Sequence, residues 1–207
     1  MPKKIIPGFY FIGNHPVLDF VNTKIAVKGQ PLDLLNTFAD LLDWLRQVSF
    51  ITLEEVKLYE QKWGDTVQGV KVLESAAELR SYLLTIIEKR KIGEKAPDAS
   101  IQFINQLVKQ HAVISELVQS DDGFIREKKH VMFQKPLDLL VPVAEAAIDF
   151  FVTHDLALVK KCENPACVLY FYDNSKNNTR RWCSPKTCGN RMKVAAYLER
   201  QQNQLNK

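Results

Sequence analysis

The cysteines set the strongest constraint on this chain. All four stand near its carboxyl end, at Cys162, Cys167, Cys183 and Cys188, and no cysteine precedes them. Their spacing is Cys-x4-Cys, fifteen residues, then Cys-x4-Cys. Two close pairs joined by such a loop are the pattern of a four-thiolate zinc site, each pair supplying one edge of a tetrahedron. The rivals are two disulfides and an iron–sulfur cluster. Disulfides persist in oxidising compartments, and residues 1–8 hold two lysines without the apolar run of ~7–15 residues that an export signal carries. The chain is therefore expected in the cytoplasm, where thiols stay reduced. Iron–sulfur clusters use other spacings. One structural Zn2+ per chain is the expectation, because four sulfurs close the coordination sphere whereas a catalytic zinc keeps a position for water.

The residues around the cysteines describe how such a site is built. Asn164-Pro165 suits a tight turn, residues 168–172 (Val-Leu-Tyr-Phe-Tyr) read as a strand, and residues 173–178 as a polar turn. Residues 179–182 are the expected returning strand that delivers Cys183. Ser184 and Pro185 are helix-start signals, and residues 191–203 have helical composition without Gly or Pro. The product is a small treble-clef-like finger. So short a segment holds little core of its own, so metal binding supplies much of its folding free energy.

Charge separates the same segment from the rest. Residues 160–207 carry ten basic and three acidic side chains, a net +7, while residues 1–159 carry −3. Four thiolates and one divalent ion together contribute −2, which still leaves +5 on the segment. A cationic tail on a mildly acidic body points to a polyanion, DNA first. The candidate contacts are Arg180, Arg181, Asn190, Arg191, Lys193 and Arg200. Arginine offers a planar fork for phosphate or guanine, and the Asn amide matches adenine. Asn190 and Arg191 directly follow a metal ligand, so they suit bracing the site equally well. Trp182 reads as finger core. Arg180 and Arg181 alternate faces on a strand, so at most one shares the helix side.

These residues carry a resemblance. The run from Cys162 to Arg200, with Asp173 ahead of the turn, the block Arg180-Arg181-Trp182-Cys183 and the tetrapeptide Cys188-Gly189-Asn190-Arg191, resembles the bacterial CGNR zinc finger. Leu18-Asp19-Phe20-Val21-Asn22-Thr23, Pro31-Leu32-Asp33 and Leu41-Leu42-Asp43-Trp44-Leu45 resemble the ABATE domain found ahead of that finger. Together they cover nearly the whole chain. The resemblance implies a stress-induced transcription regulator whose finger binds DNA.

The larger part, residues 1–159, reads as mainly helical, giving a mainly α chain of α+β character with residues 160–207 as the finger. Phe38, Leu41, Leu42, Leu45 and Val48 share a helix face, and Thr52 with Glu55 forms a capping box ahead of a helix that Gly64 can end. Val72, Ala76, Leu79, Leu83 and Ile86 mark a longer helix stopped near Gly93. Asp98 opens another, carrying Ile101, Ile104 and Val108. Residues 113–118 and 124–131, joined by Ser120-Asp121-Asp122-Gly123, read as a β-hairpin. Pro136 opens the last body helix, through Leu140, Ala144, Ile148 and Phe151.

No apolar run reaches the ~18 residues of a membrane span, since Glu145 and Asp149 interrupt the best candidate, so no membrane partner is expected. His15, Asp19 and Asn22 form a polar group amid apolar neighbours that suits a small polar effector, the rival role being to cap chain ends. His111, His130 and His154 stand singly. No nucleophile elbow, phosphate-binding glycine loop or His-Glu-x-x-His run is present, and the chain is not expected to be an enzyme. Two functions remain: a DNA-binding regulator whose body senses an effector or forms a homodimer, and a zinc-stabilised module for protein or RNA interaction.

Overall fold

Two reciprocal capping boxes start the helical body. Thr37 Oγ1 accepts the Asp40 N–H at 3.1 Å while Asp40 Oδ2 accepts the Thr37 N–H at 2.8 Å, and Thr52 and Glu55 repeat the exchange at 3.2 and 2.7 Å. They open α2 (Phe38–Gln47) and α3 (Leu53–Trp63). The computed structural model describes residues 8–27, 29–109, 113–120, 122–131 and 133–205. Residues 1–7, His111, Asp121 of the expected hairpin turn and the side chain of His130 lie outside that description.

The first helix, α1 (Pro16–Val21), is followed by a hairpin of β1 (Lys24–Val27) and β2 (Gln30–Asp33) that the periodicity of the sequence does not announce. Pro31 stands opposite Ala26, where a missing N–H is tolerated at an edge. After α2 and α3 comes α4 (Val67–Lys91), whose predicted stripe Val72, Ala76, Leu79, Leu83 and Ile86 is buried. It ends in a Schellman turn: Gly93 takes φ +77°, its N–H donates to Arg90, and the Glu94 N–H reaches back to Lys89. Helix α5 is Asp98–Lys109, and β3 (Val113–Gln119) pairs antiparallel with β4 (Ile125–Val131) in the expected hairpin. A short 3-10 turn (Pro136–Leu140) leads into α6 (Val141–Thr153).

Two helix faces differ from expectation. In α5 the buried apolar residues are Ile104 and Leu107, and Ile101 is exposed. In α6 the core side is Val143, Ala144, Ala147 and Phe150, while Ile148 lies on the exposed side. Both helices carry apolar residues on more than one side, so periodicity alone leaves the inward direction open.

The carboxyl-terminal part contains β5 (Val159–Lys161), β6 (Tyr170–Tyr172), a wide π-type turn (Pro185–Gly189) and α7 (Asn190–Leu205). The strand pairing corrects the sequence reading. β6 pairs backwards with β5, Lys161 opposite Tyr170, and residues 179–182 form no strand. The first cysteine pair therefore sits in the β5–β6 turn itself.

Apolar packing falls into two clusters. The larger joins α1 to α6, with Trp44, Phe20 and Phe150 fully buried, and includes Val159 and Tyr170 of the finger strands. The smaller surrounds the cysteines with Leu169 and Phe171, and it takes Ile25 and Leu34 from the amino-terminal part of the chain, with Phe9, Ile12 and Leu32 packed against them. The finger thus completes its core with residues from the other end of the sequence.

Candidate metal centre and its surroundings

The ligand-type atoms of Cys162, Cys167, Cys183 and Cys188 all lie within 4.8 Å of one another. Cys167 Sγ is 3.7 Å from Cys183 Sγ, which is 3.6 Å from Cys188 Sγ. A tetrahedron with metal–sulfur bonds of ~2.3 Å has edges of about 3.8 Å. A disulfide needs ~2.05 Å, and all four cysteines are free, which removes the disulfide alternative. The donor set is soft, closed and mostly buried, and it fits one tetrahedrally coordinated ion.

Local hydrogen bonds shape this cage. Asn164 Oδ1 accepts the Ala166 N–H at 3.0 Å and the Asn164 carbonyl accepts the Cys167 N–H at 2.8 Å, closing the predicted turn, while the Cys162 N–H donates to Leu169 at 2.9 Å. The surroundings act differently on the individual thiols. Hydrogen bonding from Cys183 pulls Cys167 down to about 5, whereas the bond to Cys167 and burial push Cys183 up, and burial raises Cys162. An ion bound by these sulfurs displaces their protons.

The tetrapeptide 188–191 has a separate reason at each position. Gly189 lies so close to Trp182 that an added Cβ would meet the indole Cδ1 at 2.8 Å. Its N–H donates to the Ser184 carbonyl at 3.0 Å, making the wide turn that delivers Cys188. Asn190 Nδ2 donates to the Lys186 carbonyl at 3.0 Å and secures the start of α7. Arg191 lines a small cavity beside Cys167 and Cys183.

The six predicted nucleic-acid residues do not form one surface. Arg180 is committed inward: Nε donates to the Trp182 carbonyl at 3.0 Å, Nη2 to the Cys183 carbonyl, and the guanidinium lies 4.1 Å over Phe171. Arg181 is exposed but pairs with Glu163 at 2.5 Å and covers Trp182 at 4.7 Å. Lys193 and Arg200, seven residues apart on α7, share a face to within about 20°. Arg191 looks another way. Lys186, Arg191, Lys193 and Arg200 are exposed and make no ion pair with the described residues.

Asp173 is a structural centre that charge counting hides. Fully buried, it accepts Lys160 Nζ at 2.6 Å, Ser175 Oγ at 2.6 Å and the Arg180 N–H at 2.9 Å. Burial works to raise its carboxyl, and these donors hold it down at about 2. The network replaces strand pairing in residues 173–180.

His15, Asp19 and Asn22 are brought together on α1, but each is occupied by the fold. His15 caps α1, its Nδ1 accepting the Val17 N–H at 3.2 Å, and Asp19 Oδ1 accepts the Gly13 N–H at 2.7 Å. Asn22, 1% exposed, uses its amide as a two-atom strand: Nδ2 donates to the Tyr170 carbonyl and Oδ1 accepts the Tyr170 N–H, both at 2.8 Å. One residue pair farther, the Tyr172 N–H donates to the Gly13 carbonyl at 2.8 Å and Asn14 Nδ2 donates to the Tyr172 carbonyl at 2.9 Å. The outer edge of β6 is thereby saturated by the amino-terminal segment. None of the three residues lines either cavity beside the finger.

A second group of metal-type ligands, His15, Asp149 and His154, also lies within 4.8 Å. His15 Nδ1 is an acceptor in the helix cap, so the ring proton sits on Nε2 and leaves no lone pair for a metal. Burial, aided by His154, holds the His15 imidazole down at about 4, against the opposing pull of Asp149. The ring serves packing, 4.4 Å from that of Phe150.

Fold and site together define a helical protein that carries a four-cysteine metal-binding finger at its carboxyl end. Residues 159–201 match the family model described as "CGNR zinc finger", and residues 14–154 match the ABATE model, described as "Putative stress-induced transcription regulator". The second match spans more than half of the chain, and the chain belongs to the ABATE family. The comparison with curated proteins returned no match. Among the described residues no helix is long and apolar enough to cross a membrane.

Proposed function

We propose that the metal is Zn2+, one ion per chain, and that the chain is a DNA-binding transcription regulator whose helical body senses a small effector or dimerises. The observation that carries this reading is the cationic, unpaired set Lys186, Arg191, Lys193 and Arg200 on the finger's turn and final helix, in a segment of net +7 before the metal site is counted. In this reading the chain is not an enzyme, since four sulfurs leave the ion no open position.

Three or so phosphate contacts give weak affinity with a log K slope of about −0.9 per contact per decade of salt, which a homodimer would strengthen. The test is a titration of metal-loaded protein with random duplex, single-stranded DNA and RNA at several salt concentrations. Duplex preference is expected, and Lys193→Gln with Arg200→Gln lowers the slope by about two. Absence of duplex binding at low salt rejects the reading.

One feature favours the second function, a zinc-stabilised protein- or RNA-interaction module. Val194, Tyr197 and Leu198 are each more than half exposed along one side of α7. In that case Tyr197→Ala abolishes partner binding and the duplex titration shows no salt-dependent complex.

A further inference from the structure

A cavity of about 480 Å³ lies at the seam where α4, the β1–β2 hairpin and the finger meet. Its size is that of a small-molecule site. The walls are largely apolar, and the charged lining groups are Lys24, Arg80 and Lys161 against Asp33 alone. The field inside favours an anion.

Arg80 gives that preference a shape. It is 6% exposed, its Nη1 donates to Thr23 Oγ1 at 2.6 Å and to Asp33 Oδ1 at 3.0 Å, and its Nη2 donates to Asp33 Oδ2. Asp33 and Thr23 therefore use the end of the guanidinium and one flank. The opposite flank, made of Nε–H and the second Nη2 hydrogen, has no acceptor among the described residues. Those two donors are parallel and spaced for the two oxygens of a carboxylate. A phosphate dianion fits less well, because only one donor pair is free and the Asp33 carboxylate stands beside it.

We propose that this cavity binds a small monocarboxylate with an apolar body. Its carboxylate sits on the free flank of Arg80, Lys24 and Lys161 compensate its charge, and its apolar part lies against Ile25, Leu84 and Val168. Lys161 immediately precedes Cys162 and Val168 immediately follows Cys167, so the bound molecule touches both sides of the first cysteine pair. Ligand binding and finger geometry are thereby coupled, reciprocally. As an effector site the proposal rests on the regulator reading above; as a binding site it stands independently of it.

The experiment titrates metal-loaded, 15N-labelled full chain with hexanoate and phenylacetate, with hexanamide and phenylacetamide, and with inorganic phosphate. Both carboxylates are expected to saturate with Kd about 1 mM or tighter and to shift the amides of Ser81, Lys161, Val168 and Tyr170. The neutral amides bind at least about tenfold more weakly and phosphate does not saturate. Ala77→Phe, which fills the cavity without altering a polar group, abolishes the shifts, and Lys161→Gln weakens binding about threefold to tenfold while its melting curve matches the wild type.

Equal binding of amides and carboxylates overturns the proposal. So does binding that survives the filling of the cavity by Ala77→Phe, or absence of saturation by ~20 mM carboxylate. A duplex titration run alongside separates the two readings. Carboxylate binding without DNA binding supports the site and removes the regulator; DNA binding without carboxylate binding overturns the site alone.

Discussion

The two ends of this molecule are stabilised by different means. The body buries a broad apolar cluster, from Leu18 and Phe20 in α1 through Leu79 and Leu83 in α4 to Phe150 in α6. Among the described residues the finger's cluster buries seven, of which three are cysteines and two, Ile25 and Leu34, come from the amino-terminal part. The body has enough apolar burial to fold on the hydrophobic effect; the finger needs a metal ion and borrowed side chains. The dependence is mutual but unequal. The finger lends Val159 and Tyr170 to the edge of a broad cluster, whereas the body supplies Ile25 and Leu34 to a small one.

The largest expected effect tests that asymmetry. Cys183→Ser or Cys188→Ser removes a ligand from a site whose binding free energy is on the order of 10 kcal/mol. Stoichiometric metal disappears by mass spectrometry and the finger's amide resonances collapse, while most helical circular dichroism remains; full retention of either metal or dispersion contradicts the metal centre. The converse is Phe150→Ala, which empties a fully buried site facing Tyr172 and costs about 3–5 kcal/mol. Here body and finger are expected to melt together, and separate transitions would break the comparison.

Asn22→Ala acts at the joint. It leaves the buried Tyr170 N–H and carbonyl without partners on that edge and costs about 2–4 kcal/mol, measured by urea unfolding. A smaller loss, about 1–3 kcal/mol, is expected for Gly189→Ala, because the new methyl presses on Trp182; Trp182→Leu in the same chain should relieve part of it.

The subtlest prediction concerns pH. Burial raises the Asp19 carboxyl from 3.8 to about 6, although the Gly13 and Ile12 amides oppose it, so its stabilising share is present below pH ~3.8 and lost as pH rises through about 6. His15 is shifted from 6.5 down to about 4, so its share is present above pH ~6.5 and lost as pH falls through about 4. Between these limits the two slopes oppose each other. Taken as differences from the wild type in urea unfolding, Asp19→Asn should make stability rise more steeply with pH, and His15→Asn should make it fall. Equal slopes in both variants would show that neither group titrates as its surroundings dictate.

The sequence was most legible where chemistry is local. The spacing within each cysteine pair, the Thr52–Glu55 capping box, the helical repeat of the stripe on α4 and the turn at Gly123 each depend on residues within a few positions of one another. It was least legible where partners are distant. β6 takes β5 on one side and Asn22 with Gly13 on the other, and nothing in residues 168–172 specifies either neighbour. Arg180 and Arg181 illustrate the same limit at the site. Adjacent and identical, they count equally as cations, yet one is spent on the carbonyls of Trp182 and Cys183 and the other on Glu163. Asn22 looked like a candidate for binding a ligand because it is polar among apolar neighbours; its ligand is the backbone of Tyr170.

That amide clasp has a consequence for synthesis. Asn22 and Tyr170 are separated by 148 positions. A ribosome adding about 5–20 residues per second makes the second some 7–30 s after the first. Throughout that interval the segment around Asn22 waits without its closing partner, so a stretch translated late completes one translated early.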